Sequence, residues 1–183
     1  MRRETYKFEK SSFLGIPKDM SIIVDRILSN KNVLKLLEYN VKNWESQPDV
    51  TTEQIKRMFD TEQISPVPRI KIDKERRTYL RLTLGTTVPN GTNTEFRDNT
   101  FGIDIICHYD DWNLGNFEVR PLRIAGEIDS MLDKTHLTGI GVLHFVSQSP
   151  VIYNNEYAGV SLTYLAVRGN DDRIQPVTEY VVN

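Results

Sequence analysis

TFGIDIICHYDDWNLGNFEVRPLRIAGEIDSMLDKTHLTGIGVLHFVSQSPVIYNNEYAGVSLTYLAVR, residues 100–168, sets one alternating strand, one Pro-started helix and a strand-turn-strand pair in succession with almost no spacer. From Phe101 to Asp110 the alternation puts Ile103, Ile105, Cys107 and Tyr109 on a core-facing side, and Asp104, Ile106, His108 and Asp110 on the other. Pro121 suits a first helical turn, and Ile124, Ile128, Met131 and Leu132 mark the buried face of a helix reaching about Lys134. Val142 to Tyr153 and Tyr157 to Val167 flank Asn154-Asn155-Glu156, so they pair as a hairpin. Short connections of this kind predict a compact α+β domain.

Upstream, residues 1–18 mix charge and aromatics without a period and end at Gly15-Ile16-Pro17, the pattern of an N-terminal arm. Asp19 is a good N-cap, and Met20, Ile23, Val24, Ile27 and Leu28 follow at helical spacing. Val33, Leu34, Leu36 and Leu37 extend this as one helix interrupted at Ser29-Asn30-Lys31-Asn32. Thr51 and Gln54 form a capping-box pattern ahead of a short helix at 51–60. Pro66 and Pro68 exclude helix and lead into a strand near 67–73. Arg77 to Val88 alternates as a half-buried strand, with Leu80, Leu82 and Leu84 facing one way and Tyr79, Arg81 and Thr83 the other. The polar run from Pro89 to Asn99 predicts a long loop that projects toward solvent or a partner.

The expected architecture is therefore a mixed or antiparallel sheet of about four to five strands, packed by an N-terminal helix and a second central helix. One domain spans 19–168, with extended arms at 1–18 and 169–183, the latter able to add a strand to a neighbouring subunit. Apolar residues make up 39% of the 183, enough for one core. The single cysteine, Cys107, excludes an internal disulfide framework and reads as a small buried hydrophobe. No apolar run marks a signal peptide or a membrane span, which predicts a soluble protein made in the cytoplasm.

Charge divides unevenly along the chain. Residues 1–99 hold 18 Lys and Arg against 14 Asp and Glu, a net +4, and residues 100–183 hold 5 against 11, a net −6. A chain split this way could stack head to tail on copies of itself or on neighbouring proteins. A domain-wide basic patch for tight nucleic-acid binding is missing.

Chemistry-bearing patterns are sparse. Asp104, His108 and Asp110 share a strand face, but strand residues two apart lie nearly 7 Å from each other, which separates Asp104 from Asp110 by too much for one ion. Asp104 or Asp111 followed by Glu118-Val119-Arg120 resembles the carboxylate arrangement of restriction-type nucleases, with Arg where a Lys belongs. A divalent-metal-dependent hydrolase or nuclease using Asp104, His108, Asp110 and Glu118 is accordingly the alternative to a non-enzymatic protein. No nucleophile elbow or phosphate loop is present, and no cofactor or metal is expected. Arg120 and Arg123 flank Pro121 at a helix start, where positive charge opposes the macrodipole, so a partner elsewhere is expected. Asp129 lies too far along the helix to pair with Arg123, which points to a carboxylate across a subunit interface.

The N-terminal helix beginning Asp19-Met20-Ser21-Ile22-Ile23-Val24, the strand Gly102-Ile103-Asp104-Ile105-Ile106-Cys107, the helix Arg123 to Leu132 and the closing strand Tyr157 to Val167 together carry a family likeness. Over roughly 19–168 the chain resembles the tail-terminator and tail-completion proteins of tailed bacteriophages, α+β neck components between head connector and tail tube. The resemblance implies a structural virion protein assembled in the host cytoplasm as a ring, commonly a hexamer. It implies contacts with adjacent connector and tail-tube proteins, DNA passing through the lumen without specific binding, and no membrane. Candidate subunit-interface residues are Arg120, Arg123 and Asp129 on the helix, Asn90 and Phe96 in the polar loop, and Tyr180 in the C-terminal arm.

Overall fold

A computed structural model of the chain describes residues 5–7, 15–67, 75–92, 96–137, 141–169 and 175–177. Among them are β1 (Thr5–Lys7), α1 (Ile16–Leu28), α2 (Lys31–Glu38), α3 (Thr52–Asp60), β2 (Ile64–Ser65), β3 (Tyr79–Pro89), β4 (Phe96–His108), β5 (Asn113–Gly115), β6 (Glu118–Val119), α4 (Arg120–Leu132), β7 (His136–Leu137), β8 (Gly141–Ile152), β9 (Tyr157–Gly169) and β10 (Gln175–Val177). The α+β class holds, with a larger sheet than expected. Six strands lie in the order β2-β3-β4-β9-β8-β7, with β2 parallel to β3 and every other pair antiparallel. The additional strands are the two-residue pieces β2 and β7, too short to show a period in sequence.

The central strand β4 pairs with β3 on one side and with β9 along its whole length on the other. Ile103, Ile105 and Cys107 are fully buried beneath the helices, opposite Leu162, Val160 and Ala158 of β9. α4 packs across β4, β9 and β8, α1 packs on β3, and α2 lies against both helices. Ile23 and Ile27 of α1, Leu36 and Leu37 of α2, and Ile124, Ile128 and Leu132 of α4 complete one core. Each such side chain contributes about 2 kcal/mol by leaving water. A smaller cluster of Tyr79, Ile106 and Tyr157 occupies the other face of the sheet.

Several boundaries differ from the sequence expectation, each for a local reason. α1 begins at Ile16, three residues before Asp19, because Pro17 fits its first turn; Asp19 is buried inside the helix and Gly15 is the cap. Two helices replace the single interrupted one. Asn30 adopts an extended conformation, and its side chain accepts from the Asn32 and Val33 amides at 2.8 and 3.3 Å, which starts α2 afresh. The Asn30 amide also donates to Glu127 of α4 at 3.0 Å. The capping box of α3 forms as expected from Thr51 and Gln54.

The long loop at 89–99 is also shorter than expected. β3 continues to Pro89 and β4 starts at Phe96, with Val88 opposite Asp98 and Pro89 opposite Arg97. Backbone pairing overrides the polar composition there, since one face of a two-stranded extension tolerates polar residues. At the far end of β4 the chain turns sooner than alternation suggested. Tyr109 and Asp110 belong to a single helical turn, and Tyr109 is exposed rather than in the core. The strand expected near 67–73 lies, beyond Val67, outside the described residues. The two arms supply β1 and β10, which pair with each other, Thr5 opposite Val177.

Candidate interaction surface

Residues expected at a subunit interface fall into three environments. Arg120 is not a surface group. It is 1% exposed, and its guanidinium donates to the carbonyl oxygens of Asp111 at 2.8 Å, Leu36 at 2.9 Å, Tyr39 at 2.9 Å and Val41 at 3.0 Å. Those last three carbonyls lie at and just beyond the C-terminus of α2, where unpaired acceptors and the negative end of the helix dipole favour a cation. Burial pushes the Arg120 pKa below its ordinary value, and Cys107 and Asp111 oppose that shift. The partner missing from its own helix is the end of another one.

Arg123, by contrast, is partly exposed and finds both carboxylates in its own chain. It pairs with Glu118 at 3.2 Å and with Glu127, one helical turn on, at 3.0 Å, while lying over the Trp44 ring. Asp129 accepts from the Tyr164 hydroxyl at 2.8 Å, which ties α4 to β9. The premise for an Arg123 partner across an interface is thereby removed. Burial, and after it the bond to Asp129, pushes the Tyr164 phenol above its ordinary value. Asn90 donates to Asp98 at 2.8 Å across the β3-β4 turn, and Phe96 is exposed at the start of β4. Tyr180 lies outside the described residues.

Of the four residues of the hydrolase alternative, His108 and Asp110 lie together, the Nδ1 of His108 3.5 Å from the Asp110 carboxylate, while Asp104 and Glu118 are engaged elsewhere. His108 accepts the Asp110 amide on Nδ1 at 3.2 Å and stacks edge-on against Tyr157. Asp110 pairs with Arg76 at 2.7 Å, Glu118 pairs with Arg123, and Asp104 stands opposite Arg81 and Ser161 within the sheet. Among the described residues no group of three or more His, Cys, Asp or Glu is placed to hold a metal ion. A polar cleft of about 100 Å³ opens between α2, α3 and the start of β3. Its arginines Arg57, Arg76 and Arg77 each face a carboxylate, of Glu38, Asp110 and Glu75.

Two buried groups were illegible as such in the sequence. Arg81 is 1% exposed, donates to the carbonyls of Gln63 and Leu80 and lies over the Tyr79 ring. Gln63 in turn donates to the carbonyls of Leu37 at 2.7 Å and Thr78 at 3.0 Å, which joins α2 to the sheet. The signal for Arg81 was that apolar or aromatic residues occupy both registers around it, as expected where both faces of a strand are covered.

Cys107 is fully buried, and burial pushes its thiol from 9.0 up to about 12. Its proton is therefore lost in the unfolded chain at lower pH than in the folded one. This contribution to stability is complete below about pH 9 and disappears as pH rises toward 12, a loss of roughly 4 kcal/mol for three pKa units. Unfolding free energies measured from pH 8 to 12 should fall less steeply for Cys107→Ala than for the parent; equal slopes would mean that the thiol does not carry the alkaline limb.

The margin of the sheet at β8 is exposed over most of its length. Residues 144–150 are exposed without interruption, and Phe145, Val146 and Ile152 are 43%, 54% and 77% exposed. β7 covers the outer edge only at Gly141 and Val142, and the Asp133 carboxylate accepts the Phe145 amide at 2.9 Å. Beyond that point no described residue pairs with the outer edge of β8.

A helix-backed mixed sheet with an exposed margin and no metal cluster among the described residues defines the chain as an α+β domain. Residues 30–166 match the model of the YomW family, and the chain belongs to that family. YomW is a phage-derived family, consistent with a phage protein. No curated protein matches the chain. No helix of the described residues is long and apolar enough to cross a membrane.

Proposed function

We infer that the protein is a non-enzymatic structural part of a tailed-phage virion, a tail-terminator, tail-completion or head-tail joining subunit that works as a ring at the neck. Membership of a phage-derived family is the observation that carries this reading. The exposed, uncharged stretch along β8 supports it, because an edge of that kind invites pairing unless another chain covers it. The ring, a hexamer in this reading, contacts the connector on one side and the tail tube on the other. The acidic second half of the chain suits a passage through which DNA slides, since repulsion avoids the phosphate contacts that confer affinity.

Negative-stain electron microscopy of the concentrated protein, with native mass spectrometry of the same sample, tests the ring. Closed rings with a central hole wide enough for duplex DNA are expected. A protein that stays monomeric at the highest attainable concentration overturns the ring. Cleavage of DNA with Mn²⁺ or Mg²⁺ that disappears in Asp104→Ala overturns the non-enzymatic reading.

A further inference from the structure

We propose that copies of this chain join head to tail by pairing the outer edge of β8, Val146–Ile152, with the outer edge of β3, Gly85–Pro89, of the next copy. The proposal rests on the ring reading and names its contact.

β3 and β8 lie toward opposite margins of one sheet. Among the described residues, β2 covers β3 only at Leu80 and Arg81, and Gly85, Thr86, Val88 and Pro89 are exposed. Among the described residues the chain thus presents two different edges that point away from each other. Pairing unlike edges is a heterologous contact, which generates a ring when the rotation closes, whereas pairing like edges stops at a dimer.

Composition favours the same arrangement. Asp, Glu, Lys and Arg make up 26% of the chain, yet neither Gly85–Pro89 nor Val146–Ile152 contains one. Edges that must remain unpaired are usually blunted with charge, particularly Lys, or with Pro and bulges; here charge is missing, while Pro89, Pro150 and a bulge in each strand are present. The edges also belong to oppositely charged parts of the molecule: β3 to residues 1–99, net +4, and β8 to residues 100–183, net −6. At the β3 margin, α3 packs on β2 and exposes Lys56 and Arg57 beside Glu53 and Asp60; at the β8 margin stand Asp133, paired with Lys134, and the exposed Glu156 of the β8-β9 turn. Bringing β3 to β8 sets the net-positive part of the chain against the net-negative part, and bringing β8 to β8 sets net-negative against net-negative. Pairing also covers Val146 and Ile152, the most exposed large apolar residues of β8.

Cysteine cross-linking in the full-length protein tests the contact, because the native Cys107 is fully buried. Thr86→Cys and Val88→Cys mark β3, and Ser147→Cys and Ser149→Cys mark β8. Each β3 variant is mixed with each β8 variant under mild oxidation. In at least one mixture a disulfide between unlike variants should form roughly a hundredfold faster than in either variant alone, since facing thiols in an assembly meet at millimolar effective concentration. Rapid dimerisation of a β8 variant alone overturns the proposal in favour of an isologous contact. Rings visible by microscopy with no mixed disulfide in any of the four combinations overturn the edge contact and leave the ring standing. Absence of rings altogether overturns both.

Discussion

Replacing Arg120 by Met lowers the unfolding free energy by about 4 kcal/mol, measured by urea denaturation at neutral pH, although Met is apolar and suits a buried site in size. The guanidinium satisfies four carbonyl oxygens from three separate places: the end of α2, the segment after it and the turn that follows β4. Deleting it strands acceptors that water cannot easily reach, at about 1–3 kcal/mol for each one that stays buried. Arg120→Lys recovers only part of the loss, because an ammonium cannot span the same directions as the planar fork. Arg123→Met is the control on the same helix. Its ion pairs are partly solvated, so the expected cost is about 1 kcal/mol or less. Equal losses in the two variants would refute the internal role of Arg120.

Gly159→Ala is expected to cost about 4 kcal/mol or to prevent folding. A Cβ on Gly159 would stand 1.7 Å from the Ile105 carbonyl oxygen and 2.8 Å from its carbon, both main-chain atoms of the central strand. Such atoms yield only by opening the β4-β9 ladder, so overpacking here exceeds the usual few kcal/mol of a crowded core side chain. Two other glycines calibrate the measurement. At Gly102 the added carbon meets the Thr83 hydroxyl at 2.8 Å, a side chain that can rotate, and a smaller loss is expected. At Gly126, exposed on α4, nothing lies within 4 Å, so Ala should stabilise by about 0.5–1 kcal/mol through helix propensity and a less free unfolded chain. A Gly159→Ala variant as stable as the parent would show that β4 and β9 do not approach this closely.

Both predictions fall on residues whose importance the sequence only partly announces. Arg120 stands out as a cation at a helix start, an unfavourable place that implies a partner, but the helix end that supplies the partner lies about 80 residues earlier in the chain. Arg123 looked equivalent and is not, because three positions further along α4 its side chain lies at the rim rather than in the interior, within reach of Glu127. Gly159 sits inside a clean strand pattern, and nothing local tells that Ile105 passes beneath it.

The strands β3, β4, β8 and β9 and the helices α3 and α4 were legible because each repeats a hydrophobic period over enough residues to exceed the noise of composition. The break at Asn30, the early start of α1 at Pro17 and the short strands β2 and β7 were less so, since they depend on a single cap or on pairing with distant backbone. The polar stretch from Phe96 to Asn99 shows the limit most directly. Its composition is that of a loop, yet the ladder with β3 and β9 makes it strand, because hydrogen bonding along a sheet is indifferent to side-chain polarity where a face is open.

By itself, then, the sequence determined the α+β class, the buried faces of the long elements, the burial of Cys107 and the opposed charges of the two halves, all of which follow from local period and composition. Only the tertiary structure decided that Arg120 and Arg81 are interior, that Asp104, His108, Asp110 and Glu118 do not gather as one metal site, and that among the described residues β8 stands as an exposed edge. Those properties depend on which distant segments become neighbours, and side-chain pairing across tens of residues leaves no periodic trace along the chain.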